Sequence, residues 1–216
     1  MSENARSTDI ILAGVGGQGA VLASKLLARA AMERSLPVKT AETIGMAQRG
    51  GSVFSHVRLG EGAVSPLIGR GRADAIVAFE PAEAVRQLSF LRTGGVVVTS
   101  DAPVVPVSAA TGGPAYDLPA IMSYLHERVG EKNLAVVDAA AAAAELGTAR
   151  ALNVVLLGAA AHAGALGPVT LDDLAAAVRA IVIPRFLDLD LRALSIGDVF
   201  FRADKKGQVL RGWPMK

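Results

Sequence analysis

The sequence predicts an α/β fold, a Rossmann-like three-layer sandwich built on a mostly parallel sheet, with a helical segment at its C-terminal end. Three observations predict it. The apolar run Asp9-Ile10-Ile11-Leu12-Ala13 passes through Gly14-Val15-Gly16-Gly17-Gln18-Gly19 into the amphipathic segment Ala20 to Arg34, the order of a buried parallel strand, a tight turn and a crossover helix. Two more strand–helix repeats begin at Ala73 and Gly94. Finally, 51% of the residues are hydrophobic but only 4% are aromatic. That excess of Ala, Val and Leu suits helices packed closely on a sheet, or a buried partner surface.

The elements follow in order. Glycines in the first turn let the chain bend sharply and let backbone N–H groups at a helix start approach an anion. Leu22, Leu26, Leu27 and Ala30 share a helix face, with Lys25, Arg29, Glu33 and Arg34 elsewhere. Pro37 to Glu42 reads as a second strand, parallel to the first because a strand–helix–strand unit in one sheet is a parallel crossover. Thr43 to Gly51 is a loop, and Ser52 to Leu59 alternates like a strand with one exposed face. Ala73 to Glu80 is a buried strand, and Pro81 opens a helix through Leu91. Gly94 to Ser100 is a strand, and residues 101–117 form a connector with an edge piece at Val104-Val105-Pro106-Val107. Leu118 to Val129 is helical, Leu134 to Asp138 a strand, and Ala139 to Ala144 a run of the best helix former. Thr170 and Asp173 have capping-box spacing for a helix toward Val182, and Pro184 opens a terminal helix from Arg185 to Phe201. Neither a repeat nor a linker divides the chain, so residues 1–216 are expected to form one domain.

Composition excludes several classes. A formal charge of +2, from 22 Lys and Arg against 20 Asp and Glu, gives no basic face for nucleic acid. With 0 Cys, disulfides, thiolate nucleophiles and cysteine-ligated iron–sulfur clusters are excluded from this chain. The polar N-terminus lacks the apolar core of a signal peptide, so a cytoplasmic location is expected. Ala151 to Leu171 carries no charge, but Asn153, His162, three glycines and Pro168 fit a helix buried in protein better than one in lipid. The apolar stretch at Ala151 to Leu166 is either a core layer or a face for a second copy when the chain is isolated.

The chemistry narrows to binding. His56, His126 and His162 are scattered and have no ligand partners at helical spacing, so each reads as structural or surface and no metal site is expected. G-x-S-x-G and the phosphate-binding G-K-[ST] loop are both missing, and no acid, base or nucleophile is assigned. What remains is a glycine-rich anion cradle at Gly14 to Gly19 and the loop Gln48-Arg49-Gly50-Gly51. In that loop an arginine between close-approaching glycines can clamp a carboxylate or phosphate. An arginine in a surface turn is the plain alternative, as a solvated strand face is for Arg58. Gly14, Gly16 and Gly19 satisfy G-x-G-x-x-G, and Glu42 lies 23 residues beyond Gly19. A stand-alone dinucleotide-binding oxidoreductase with Glu42 on the ribose is therefore open at this point.

Gly14 to Gly19 after Ile-Ile-Leu-Ala, then Glu42-Thr43 and Gly45-Met46-Ala47-Gln48-Arg49-Gly50-Gly51-Ser52-Val53, resembles the gamma-type domain of the 2-oxoacid:ferredoxin oxidoreductases. The Met-Ala-Gln-Arg-Gly-Gly form is similar to the small subunits of the indolepyruvate branch of that family. The likeness continues through Asn153 to Ala159 and Ile183-Pro184-Arg185-Phe186. It implies a subunit, inactive alone, paired with a large alpha subunit that carries thiamine diphosphate, magnesium and iron–sulfur clusters. The complex would oxidatively decarboxylate an aryl pyruvate with coenzyme A as co-substrate and pass electrons to ferredoxin. The residues this chain would then contribute toward substrate or coenzyme are Gly14, Gly16, Gly17, Gln18, Gly19, Gln48, Arg49, Gly50 and Gly51, with Asn153 fixing the loops. A catalytically silent assembly subunit, its glycine loops merely packed on the large chain, is the third reading.

Overall fold

A computed structural model describes residues 6–43, 51–106, 109, 112–113 and 115–197. Six strands form one sheet: β1 (Thr8–Val15), β2 (Val38–Thr43), β3 (Ser52–Leu59), β4 (Ala73–Ala78), β5 (Leu91–Ser100) and β6 (Leu134–Val137). Seven α-helices are described: α1 (Ala20–Glu33), α2 (Pro81–Gln87), α3 (Leu118–Val129), α4 (Ala139–Leu146), α5 (Leu152–His162), α6 (Leu171–Ile181) and α7 (Pro184–Ser195). The strand order is β2-β3-β1-β4-β5-β6. β1, β4, β5 and β6 pair in parallel, while β3 is antiparallel to both β1 and β2. Five strands therefore run one way, and the mostly parallel three-layer sandwich is borne out.

Alternation along β1 divides the core. Ile10 and Leu12 face a large cluster containing α1, α4, α5, α6 and α7, whereas Ile11 and Ala13 face a smaller one with α2 and α3. Burial of leucines such as Leu26, Leu27 and Leu157, all 0% exposed, contributes about 2 kcal/mol each. Helix α5 lies inside the larger layer with Asn153 through Ala160 buried, so the Ala151 to Leu166 stretch is a core layer. No helix among the described residues is long and apolar enough to cross a membrane.

Five expectations change in detail. β2 runs in the same sense as β1 but does not pair with it, because β3 is inserted between them. As an interior strand β3 has both faces covered: Val57 and Leu59 face one cluster, while His56 is 4% exposed against Phe54 and Phe90. The helix opened by Pro81 ends at Gln87, passes through a short 3₁₀ turn at Leu88–Phe90, and β5 starts at Leu91. The terminal helix ends at Ser195, because Gly197 lies against the backbone of α5 near Ala159, leaving no space for a side chain. Residues 101–106 form no strand, and the remainder of the expected edge piece, Val107, lies outside the described residues. The capping box at Thr170 is present, with Asp173 Oδ2 accepting from Thr170 N at 2.8 Å.

At Gly158 helix α5 packs directly on the backbone of α7, so an added methyl would overlap the Leu194 carbonyl. Although alanine is the better helix former, Gly158→Ala is expected to destabilise the protein by about 2 kcal/mol through overpacking. Urea unfolding midpoints check this; an unchanged or raised midpoint contradicts it.

Candidate functional site

From β1 the chain crosses through α1 toward β2, and from β4 it crosses through α2 toward β5 on the other side. The carboxyl ends of β1 and β4 therefore diverge, which opens a crevice where α/β sheets bind ligands. Gly14 to Gly19 forms one wall and Phe79 to Pro81 the other. Gly17 (φ 101°) and Gly19 (φ 83°) take left-handed conformations that glycine adopts without strain. Gly19 begins α1 with no side-chain cap, leaving first-turn N–H groups without a side-chain acceptor.

The Gln18 amide joins the two walls. Its Oε1 accepts from Val15 N at 2.9 Å and its Nε2 donates to Phe79 O at 3.0 Å. A methyl on Gly14 would lie 2.9 Å from Gln18 Oε1 and 3.0 Å from Phe79 Cδ2, so glycine there makes room for the bridge. Asn153, on the first turn of α5 and 5% exposed, donates from Nδ2 to Gly19 O at 3.3 Å. Gln18 and Asn153 thus brace the glycine loop from within. Gly16 N donates to Gly51 O at 2.9 Å, because the β1–β3 register sets Val15 opposite Ser52. The two glycine loops of the sequence therefore meet at Gly16 and Gly51, while Gln48, Arg49 and Gly50 lie outside the described residues.

Glu42 is exposed on edge strand β2, level with Ser55 of β3 and Leu12 of β1. Two strand spacings, about 10 Å, separate it from β1. This position, with β3 inserted between it and the glycine loop of β1, departs from the ribose-binding acid of a dinucleotide fold.

A cavity of about 280 Å³ opens at the crevice, lined in part by Val15, Ser52, Glu80, Arg86, Val104 and Tyr116. Glu80, 1% exposed, caps α2 by accepting from Glu83 N at 2.9 Å. Its other oxygen accepts from the Tyr116 hydroxyl and, at 3.4 Å, from Val104 N, which holds these two residues at the site. Glu83, 0% exposed, accepts from Ser52 Oγ at 2.5 Å and pairs with Arg86. Burial, then the hydrogen bond to Glu80 and its charge, push the Tyr116 phenol well above the usual tyrosine range, so it stays a neutral donor. Sequence reasoning missed these five polar residues. Glu80 alone carried a signal, an acid directly before a helix-opening proline.

Elsewhere charge is scaffolding. At the end of the sheet where β1, β4 and β5 begin and the antiparallel β3 ends, Arg58 pairs with Asp9 at 2.9 Å, and Asp74 accepts from Arg92 at 2.7 Å and Arg6 at 2.8 Å. The side chain of Arg58 is only 15% exposed, so it is not on a solvated strand face. Among the described residues no group of three or more His, Cys, Asp or Glu side chains is placed to hold a metal ion.

The chain belongs to the pyruvate ferredoxin/flavodoxin oxidoreductase family, which it matches over residues 9–197. It is an oxidoreductase subunit by that membership, as the glycine-loop resemblance implied. It is similar to indolepyruvate oxidoreductase subunit IorB of Thermococcus kodakarensis, 36% identical over 88% of this chain and 93% of that protein. The subunit IorB of Archaeoglobus fulgidus is 40% identical over 88% of this chain and 92% of that protein. In fold it is similar to pyruvate oxidoreductase subunit PORC of Thermotoga maritima, with TM-score 0.66 and 22% identity over 91% of this chain and 98% of that one. A 2-oxoglutarate:ferredoxin oxidoreductase of Magnetococcus marinus superposes with TM-score 0.64 and 20% identity, over 90% of this chain and 31% of that one.

Two outcomes are expected. Gln18→Ala leaves Val15 N and Phe79 O without their partner and should cost about 2 kcal/mol, read from the urea midpoint. His56 is held below the usual histidine value by burial and then by the Arg58 charge. Its unfolded form takes up a proton first, so its share of stability is complete above pH 6.5 and declines as pH falls toward the lowered folded value. Unfolding midpoints between about pH 7 and 5 should fall less for His56→Gln than for the wild type.

Proposed function

We propose that this chain is the small subunit of an indolepyruvate-type 2-oxoacid:ferredoxin oxidoreductase that converts an aryl pyruvate and coenzyme A to the acyl thioester. The observation that carries the reading is the 36–40% identity, over nearly the whole length, to subunits of indolepyruvate oxidoreductase. The crevice geometry supports it: a small open cavity with polar walls and an uncapped helix start suits part of a composite site. With 0 Cys, iron–sulfur clusters belong on the large alpha subunit, together with thiamine diphosphate and magnesium. When bound there, thiamine supplies the electron sink for decarboxylation, and electrons leave by ferredoxin in the cytoplasm.

Within that complex the chain binds and orients. Gly14, Gly16, Gly17 and Gly19 bring backbone amides close to an anionic group, and Gln18 and Asn153 keep their loop in shape. Gln48, Arg49, Gly50 and Gly51 form the clamp on a carboxylate or phosphate. No residue of this chain is assigned as acid, base or nucleophile, and the isolated chain is inactive. The internal hydrogen bonds of Gln18 and Asn153 also suit a silent assembly subunit, whose glycine loops serve packing alone.

Purifying the tagged chain without oxygen from its own host should bring down a large iron–sulfur subunit, and the complex should reduce a viologen dye with indolepyruvate and coenzyme A. A lone, colourless protein that binds a dinucleotide tightly would overturn the proposal. Arg49→Ala should lower turnover of the assembled complex by about tenfold or more, the scale of losing a charged contact to a reacting ligand. An unchanged rate would favour the silent subunit.

A further inference from the structure

We propose that Glu83 is a positioning residue for this site: it holds Ser52 and Arg86 in one arrangement, and so fixes the wall that β3 and α2 present to the cavity. The inference rests on the reading above, in which this cavity faces substrate or coenzyme in the complex. Glu83 is 0% exposed, where a carboxylate is costly unless it is hydrogen-bonded and an apolar side chain would fill the space more cheaply. Helix capping does not account for it, because Glu80 already accepts from the Glu83 amide at 2.9 Å. Its carboxylate serves two other residues instead. One oxygen takes the Ser52 hydroxyl at 2.5 Å and the other takes the Arg86 guanidinium.

Both partners line the cavity. Ser52 directly follows Gly51, whose carbonyl accepts from Gly16 N at 2.9 Å. A continuous path therefore runs from Arg86 through Glu83 to Ser52, along one peptide to Gly51, and across to the glycine loop. Arg86 has a half-exposed side chain, and a long side chain of that kind loses rotamer freedom when it is held in one geometry. Glu83 supplies that restraint from inside the protein and touches no ligand itself.

The test uses the complex of this chain with its large subunit. Glu83→Ala should raise the KM for the keto acid or for coenzyme A by about tenfold or more, the scale of lost support behind a binding group, with kcat within about threefold. Glu83→Gln keeps an acceptor for Ser52 but loses the charge on Arg86, and should recover part of the loss. Ser52→Ala removes the same hydrogen bond from an exposed residue and should reproduce part of the KM effect even where Glu83→Ala fails to fold. A residue that only supports the fold would lower the yield of complex and its kcat while leaving both KM values unchanged, and that result overturns the proposal. Amide hydrogen exchange at Ser52 to Phe54 should be faster in Glu83→Ala while β4 and β5 stay as in the wild type. If the wild-type complex does not turn over an aryl pyruvate, the functional reading fails, and exchange alone decides on Glu83. Unchanged protection at Ser52 to Phe54 then overturns the proposal.

Discussion

One glutamine side chain holds the crevice together. The parallel β1–β4 ladder ends at Ala13 opposite Ala78, with Phe79 N donating to Ala13 O at 2.8 Å. Beyond that point the two chains turn toward opposite sides of the sheet, and their backbone groups lose ladder partners. Gln18 reaches back to satisfy Val15 N and Phe79 O together, acting as one more rung made from a side chain. Buried backbone groups need such partners. The space for the rung comes from the missing Cβ at Gly14, so glycine and glutamine function here as a pair.

Inserting β3 beside β1 has the next largest effect. It covers what would be an exposed edge of β1 and brings Gly51 against Gly16, 35 positions earlier in the chain, which joins the two glycine-rich loops. The same insertion moves β2 and Glu42 outward to the sheet edge. The crevice keeps the position of a nucleotide-binding switch point without that fold's acid beside it. Its polar groups come instead from Ser52 at the start of β3, from Glu80 and Arg86 at the two ends of α2, and from the connector through Tyr116.

Legibility differed by kind of residue. Strand and helix positions followed from apolar runs, helix-opening prolines and the Thr170 capping box, all local signals that packing reinforced. Gly17 and Gly19 were recognisable as turn glycines, and both have positive φ. The partners of Gln18 and Asn153 were not legible, because Phe79 and Gly19 lie 61 and 134 residues away from them. Glu83 looked like an ordinary acid in a first helical turn, and Tyr116 like a residue in a loop. Nothing local distinguishes a buried acid from an exposed one when its partners come from another strand.

The sequence by itself determined the class of fold, the glycine-rich turn after the first strand, the family, and the absence of thiol chemistry. These depend on periodicity, on φ freedom and on residue types, which are properties of short stretches. Tertiary structure alone decided that β3 lies between β1 and β2, that α5 is core, and that Glu80 lines a cavity while Glu83 is buried behind two of its other wall residues, Ser52 and Arg86. Those outcomes depend on which distant segments share a face of the sheet, because burial and hydrogen-bond satisfaction are settled between segments and not within them.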